Sequence, residues 1–72
     1  MEKYLNKNND SGVSHYEIFD DKINVKFTGT EKIYTYSNYK AGWQHVDNMK
    51  VLAQKGSGLN SYINTNVKYL YD

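Results

Sequence analysis

The sequence predicts an α+β fold, in which a three- or four-stranded antiparallel β-meander packs against one main α-helix and a short second helix follows. Residues 13–36 contain three segments with β-type patterns, separated by short polar turns. From residue 40 onward, the apolar residues change to the spacing of an amphipathic helix. A sheet and a helix that each bury one face cover one another, so the 72 residues are expected to form one domain.

The central strand is the clearest of the three. Ile23, Val25 and Phe27 alternate with polar residues, and this pattern predicts one buried face and one solvated face. Residues 13–20 before it and residues 33–36 after it contain β-branched and aromatic residues and are predicted to pair with it on either side.

Residues 40–55 are predicted to form the main helix. Ser37 or Asn38 would cap its start, and Gly56 stands where a left-handed C-cap belongs. The stripe that is expected to face the sheet comprises Trp43, Val46, Met49, Leu52 and Ala53.

The chain after Gly56 is predicted to contain a second helix and a further strand. Ser57 would cap a short helix over residues 58–64, and residues 67–71 would form a fourth strand. The segment QKGSGLNSYI, residues 54–63, matches neither a Walker A loop nor a dinucleotide fingerprint after a strand. It is therefore interpreted as a turn between helices.

Residues 1–12 are polar and are predicted to be a flexible N-terminal arm, which leaves residues 13–72 as the single domain. In the alternative, Tyr4 and Leu5 dock on the sheet as an edge segment. Nothing in the arm resembles a signal peptide, and no apolar run approaches the roughly 20 residues that span a bilayer. Together with the absence of cysteine, these features favour a cytoplasmic protein without a membrane partner.

The charge is nearly balanced, with a formal net charge of +1. All nine basic residues are lysines, and arginine, which makes bidentate contacts to phosphate and guanine, is absent. Specific nucleic-acid recognition is therefore disfavoured. Weak lysine–phosphate contact stays open as an alternative, and it requires four lysines to converge on one face beside exposed tyrosines: Lys26, Lys50, Lys55 and Lys68.

No residue pattern points to catalysis. His15 and His45 lack the ligand spacing of a zinc site, and Asp47 lies two residues after His45, where helical side chains do not face each other. A nucleophile elbow is absent from the sequence, and a small meander has little depth for a closed pocket. We therefore expect a protein that is not an enzyme and has neither a cofactor nor a metal.

Eight tyrosines are more than a core of this size can hide. Packing or a protein interface is favoured over a stacking platform for single-stranded nucleic acid, because such platforms normally lie in strongly basic grooves. The predicted interaction residues are Tyr34, Tyr36, Tyr39, Tyr69 and Tyr71.

A series of short motifs in a fixed order extends over nearly the whole domain. It consists of Ile23-x-Val25-x-Phe27, Gly29, Tyr34-x-Tyr36, a helix, and GSGLNSYI at residues 56–63. This order resembles the KTSC domain, a small domain found at the C-terminus of some lysyl-tRNA synthetases and as free-standing bacterial or phage proteins. The resemblance covers residues 13–71 and is most specific in the segment after the helix. Two departures are the missing proline before the helix and Asn64, where a basic residue is usual.

The resemblance implies a domain of one sheet and one helix and brings no established activity. Near-neutral charge and surplus tyrosines predict a small non-enzymatic module that binds another protein or a second copy of itself. A free-standing domain of this kind is expected to be a phage or mobile-element protein that inhibits a host complex. The alternative is a weak RNA- or DNA-binding accessory domain.

Overall fold

Within residues 1–7 and 12–72, which a computed structural model describes, four strands form one antiparallel sheet that helices cover on one face. The strands follow chain order across the sheet: β1 (Glu2–Lys3), β2 (Val13–Phe19), β3 (Lys22–Phe27) and β4 (Ile33–Ser37). The helices are α1 (Trp43–Lys55), α2 (Leu59–Tyr62) and a π-helix (Ile63–Val67). The predicted α+β fold, with an antiparallel meander, a main helix and a short second helix, is confirmed.

The register of the sheet directs the apolar residues of β3 toward the helices. Ile23 lies opposite Ile18 of β2 and Tyr36 of β4, and Val25 lies opposite Tyr16. Ile23 and Val25 are completely buried, as the alternation along β3 predicts.

Helix α1 closes the core from the other side. Val46, Met49 and Ala53 follow the i, i+3, i+7 spacing of one helix face and are buried. Trp43, which the sequence places in the same stripe, is 61% exposed. This side chain lies in the first turn of α1, about 90° around the axis from the centre of the buried stripe. The prediction that Trp43 packs against the sheet is therefore wrong.

The start of α1 also differs from the prediction. Gly42, at φ 98°, is its N-cap, and among the described residues no side chain makes a capping hydrogen bond to the helix start. Ser37 instead closes a turn, because its carbonyl accepts the N–H of Ala41 at 2.8 Å and its hydroxyl accepts the N–H of Lys40 at 3.2 Å. The hydrogen-bonding groups of Ser37 are thus used in a turn that ends before the helix starts, and neither Ser37 nor Asn38 is the cap.

The connection after α1 contains two glycines with left-handed backbone. Gly56, at φ 82°, is the predicted C-cap, and its N–H donates to the carbonyl of Leu52. The next cap differs from the prediction, because Gly58, at φ 85°, precedes α2 and Ser57 makes no capping bond.

The C-terminal residues do not form the predicted fourth strand. Helical backbone continues from α2 through the π-helix to Val67, since Ile63 and Val67 share one buried helical face. The described chain then runs beside β4, where the N–H of Asp72 donates to the carbonyl of Thr35 at 2.8 Å. The fourth strand of the sheet is β1, from the opposite end of the sequence.

The N-terminal segment contributes to the core. The N–H of Tyr4 donates to the carbonyl of Ser14 at 2.9 Å, and the Tyr4 side chain is 2% exposed. The docking of Tyr4 as an edge segment is thus what the structure shows, whereas Leu5 is 64% exposed. The sequence assigned residues 1–12 to an arm outside the domain, yet residues 2–4 belong to the folded unit; residues 8–11 lie outside the described part.

Candidate functional site

Four of the five predicted interaction tyrosines surround one groove at the β4 side of the sheet. This tyrosine groove has a volume of about 240 Å³. Residues from the end of β3, from β4, from the π-helix and from the chain beyond it line the groove: Phe27, Tyr34, Tyr36, Ile63, Asn64, Lys68, Tyr69 and Tyr71. Local strand spacing places Tyr34 and Tyr36 on one face, and the tertiary fold brings Tyr69 and Tyr71 to them.

The rings of the tyrosine groove pack edge to face. The ring centroids of Tyr34 and Tyr71 are 4.8 Å apart, those of Phe27 and Tyr34 are 5.4 Å apart, and those of Tyr36 and Tyr71 are 6.4 Å apart. Such contacts stabilise a pair by about 0.5–1.5 kcal/mol beyond the buried area. The cluster therefore holds the end of the chain against β4.

The tyrosines differ in what they offer to a partner. Tyr36 is 1% exposed and forms part of the floor, so it serves the core. Tyr69 is 76% exposed and stands at the rim, where its ring is accessible. Tyr39 is 99% exposed, but it lies in the turn before α1 and does not line the groove.

Burial at the floor of the groove changes the ionisation of Tyr36. Desolvation, with smaller contributions from the neighbouring Tyr34 and Tyr71, raises the pKa of Tyr36 from 10.0 to about 12. The phenol therefore stays neutral over the physiological pH range, and the floor carries no charge at this position.

Two lysine side chains lie over rings of the groove. The Nζ of Lys32 is 4.8 Å from the ring centroid of Tyr34 and 5.6 Å from that of Tyr71. The Nζ of Lys68 is 5.5 Å from the ring centroid of Tyr69. Lys32 was not among the lysines singled out in the sequence, although its position two residues before Tyr34 places both on one side of an extended chain.

The four lysines proposed for nucleic-acid contact occupy different parts of the fold. Lys26 alternates with the buried Val25 on β3, lies on the outer face of the sheet and pairs with Glu31 at 3.7 Å. Lys50 donates to the carbonyl of Asp20 at 3.1 Å. Lys55 is exposed in the last turn of α1, and Lys68 lies at the groove. Of the four, Lys68 is the one that lines the groove with the tyrosines.

A polar cluster joins α1 to α2. The Nδ1 of His45 lies 2.7 Å from the phenol oxygen of Tyr62, and the side-chain amide of Asn48 donates to that oxygen at 3.1 Å. Asp47 lines a pocket on α1 together with His45 and Asn48, whereas His15 lies on β2. Among the described residues, no group of three or more His, Asp and Glu side chains is arranged to hold a metal ion.

The outer edge of β4 is partly covered by the chain end. Besides the backbone bond to Thr35, the hydroxyl of Ser37 donates to the side-chain carboxylate of Asp72 at 2.8 Å. An unpaired edge strand is a template for further strands. Asp72 reduces the length of edge that is free for strand addition.

A second exposed surface lies on α1, opposite the core. Trp43, Asp47, Val51 and Lys55 are four residues apart and form an exposed row, which we call the α1 ridge. The large apolar side chains of Trp43 and Val51 are both exposed. Large apolar side chains in such positions contribute contact area when a partner covers them.

Comparisons of the chain with family models, with curated proteins and with solved structures return no match. The resemblance to the KTSC domain therefore stays a prediction from the sequence. In the part of the chain that the structure describes, no helix combines the length and the apolar character needed to cross a membrane.

Proposed function

We propose that this protein is a small, non-enzymatic, cytoplasmic binding module that holds a segment of another protein in the tyrosine groove. The observation that carries the proposal is the convergence of Tyr34, Tyr36, Tyr69 and Tyr71 on one groove. Tyrosine is enriched at protein interfaces, because its ring provides apolar contact area and its hydroxyl pairs with polar groups.

The groove has the layered composition of an interface. Its floor contains the buried Tyr36 and Ile63, while Tyr69 and Lys68 at its rim are exposed. A volume of about 240 Å³ suits one or two side chains of a partner rather than a complete metabolite. An apolar anchor from a protein segment is therefore the best match in size.

The charges around the groove indicate the kind of segment. Lys32 and Lys68 both lie over its rings and place two positive charges beside the groove. Opposite charges across an interface speed encounter and select the partner. The partner segment is thus expected to carry an apolar or aromatic anchor beside Asp or Glu residues.

A displayed library of random peptides tests this proposal. Selection on the wild-type protein is expected to enrich peptides that combine an aromatic or large aliphatic residue with neighbouring carboxylates. Tyr69→Ala and Lys68→Glu should each weaken the selected peptides about tenfold or more, as truncation of an interface anchor does. Both positions are exposed, so circular dichroism should show an unchanged fold.

The matched control is Tyr39→Ala, which removes a tyrosine that is 99% exposed and lies outside the groove. Its peptide affinity should equal that of the wild type. Peptides without acidic residues, or peptides that bind Tyr69→Ala as well as the wild type, would contradict the proposal.

Nucleic-acid binding is the competing outcome of the same experiment. Single-stranded oligonucleotides that bind the wild type with a steep salt dependence, and that lose affinity in Lys68→Glu, would replace the protein-segment proposal. The prediction that the partner is a host complex, inhibited by a phage or mobile-element protein, is supported by the KTSC resemblance alone.

A further inference from the structure

The α1 ridge presents two apolar and two charged side chains on a surface that no element of the described chain covers. Val51 points directly away from the buried residues Val46, Met49 and Ala53, and it is 62% exposed. Asp47 and Lys55 lie one turn before and one turn after it, and both are exposed. Val51 is therefore flanked on the ridge by an acidic residue on one side and a basic residue on the other.

We propose that the α1 ridge is a self-association surface that binds α1 of a second copy in antiparallel orientation, with a two-fold axis at Val51. In this arrangement Val51 of one copy meets Val51 of the other. A two-fold axis makes such a contact self-complementary, because each residue of the pair occurs twice. This inference concerns a surface separate from the tyrosine groove and does not depend on the proposed function.

The charge pattern identifies a second copy as the occupant. In an antiparallel pair of helices centred on Val51, a residue four positions before Val51 in one copy lies opposite the residue four positions after Val51 in the other copy. Asp47 then faces Lys55 of the second copy, and Lys55 faces Asp47 of the second copy. Rows of residues spaced by four are the surfaces through which helices most often pack.

Asp47 and Lys55 of the same helix do not pair with each other. Asp47 and Lys55 are eight residues apart, so their backbones are separated by about 12 Å along the axis. Lys50, the other lysine of α1, is directed to the carbonyl of Asp20. Trp43 extends the contact beyond Lys55 of the second copy, toward the chain that follows α1.

The size of the ridge predicts weak association. The 13 residues of α1 extend over about 20 Å. A single pair of helices of this length buries less than the roughly 1,200 Å² of a standard stable interface. The dimer should therefore form at high micromolar concentration and dissociate on dilution.

Sedimentation equilibrium of four proteins tests the inference: the wild type, Asp47→Lys, Lys55→Glu and the double variant that carries both changes. Each single change places like charges opposite each other at two symmetric positions and should raise the dimer dissociation constant about tenfold. The double variant exchanges the charges and should restore dissociation to within about threefold of the wild type. Emission from Trp43, the only tryptophan of the sequence, provides a second readout on dilution.

Glu31→Lys is the matched control, because it makes the same change in net charge as Asp47→Lys at a side chain that is 98% exposed and outside α1. It should leave the dimer unchanged. A wild type that stays monomeric up to about 1 mM would overturn the inference. Failure of the double variant to recover would also overturn it, provided circular dichroism shows that all variants fold. Peptide binding in the tyrosine groove is measured in a different experiment from dimerisation through the α1 ridge. The proposed function and this inference can therefore fail independently.

Discussion

At the residue scale, Gly56 combines two requirements in one position. Its φ of 82° lies in the left-handed region that glycine adopts without strain. A Cβ at this position would also lie 2.6 Å from the Cβ of Leu5, far inside contact distance. The first requirement comes from the local helix C-cap, and the second comes from the N-terminal segment packed across it.

Gly56→Ala should lower the free energy of unfolding by roughly 2 kcal/mol or more, because backbone strain and the clash with Leu5 add. Urea denaturation followed by circular dichroism measures this change. Gly29→Ala is the control, since Gly29 also has a φ of 85° but has nothing within 4 Å of the added Cβ. Gly29→Ala should lower the free energy of unfolding by less, about 1 kcal/mol. Equal losses in the two variants would show that Leu5 adds nothing.

Tyr36 gives a pH dependence at the same scale. Its pKa is raised from 10.0 to about 12 in the folded protein, mainly by burial. The unfolded chain therefore loses the phenol proton at lower pH than the folded chain does. The stability that the neutral Tyr36 phenol contributes is fully present below about pH 10. It is lost as the pH rises through about 12, and the loss is on the order of 2–3 kcal/mol.

Urea denaturation at a series of alkaline pH values measures that loss. In Tyr36→Phe, the slope of unfolding free energy against pH should become shallower between about pH 10 and pH 12, since no proton is exchanged at this site. A variant that keeps the full slope of the wild type would assign the dependence to other groups.

At the element scale, α1 separates one buried face from one exposed ridge. The helical spacing in the sequence correctly identifies Val46, Met49 and Ala53 as core residues. It also includes Trp43, because periodicity extends to the predicted helix start near residue 40. The turn closed by Ser37 moves the start to Trp43, and no described segment covers this side chain, which lies at the margin of the buried stripe.

Trp43→Ala and Met49→Ala test this division of the helix. Met49 is completely buried, so its truncation should cost about 2–5 kcal/mol through lost contacts and a cavity. Trp43→Ala should cost about 1 kcal/mol or less, although it removes the larger side chain. Chemical denaturation of both variants makes the comparison, and a larger loss for Trp43→Ala would contradict the assigned exposure.

At the scale of the whole molecule, the N-terminal segment supports the far end of the chain. The phenol oxygen of Tyr4 accepts the backbone N–H of Leu59 at 3.3 Å. Leu59 begins α2 and is completely buried, and no side chain of the neighbouring residues caps this helix. The hydroxyl of Tyr4 thus performs from another element the role that a local cap usually has.

Tyr4→Phe removes this hydroxyl and retains the ring. It should lower the free energy of unfolding by about 1–3 kcal/mol, because a buried N–H is left without a partner. Thermal and urea denaturation would both report the loss. Tyr69→Phe removes a hydroxyl from a side chain that is 76% exposed and should be nearly neutral. If the two variants are equally stable, Tyr4 is not an effective cap.

The sequence predicts the part of the tyrosine groove that depends on residue spacing within one strand. Alternation along β4 predicts that Tyr34 and Tyr36 share a face. Local spacing also places Lys32, two residues before Tyr34, over the Tyr34 ring. The packing of Tyr71 on Tyr34 and Tyr36 depends instead on how the chain after the π-helix returns to β4. Tyr39 looks equivalent to the other tyrosines in the sequence, but it is exposed in a separate turn outside the groove.

The sequence alone predicts the fold class, the strands β2, β3 and β4, the buried face of β3, most of the core face of α1 and the left-handed cap at Gly56. These features follow from repeat spacings of two or 3.6 residues and from the conformational range of glycine, which act within a few residues. The tertiary structure decided that Tyr4 is in the core, that β1 rather than residues 67–71 is the fourth strand, and that Trp43 stays exposed. Burial depends on which distant segment covers a surface, and local spacing does not encode that choice.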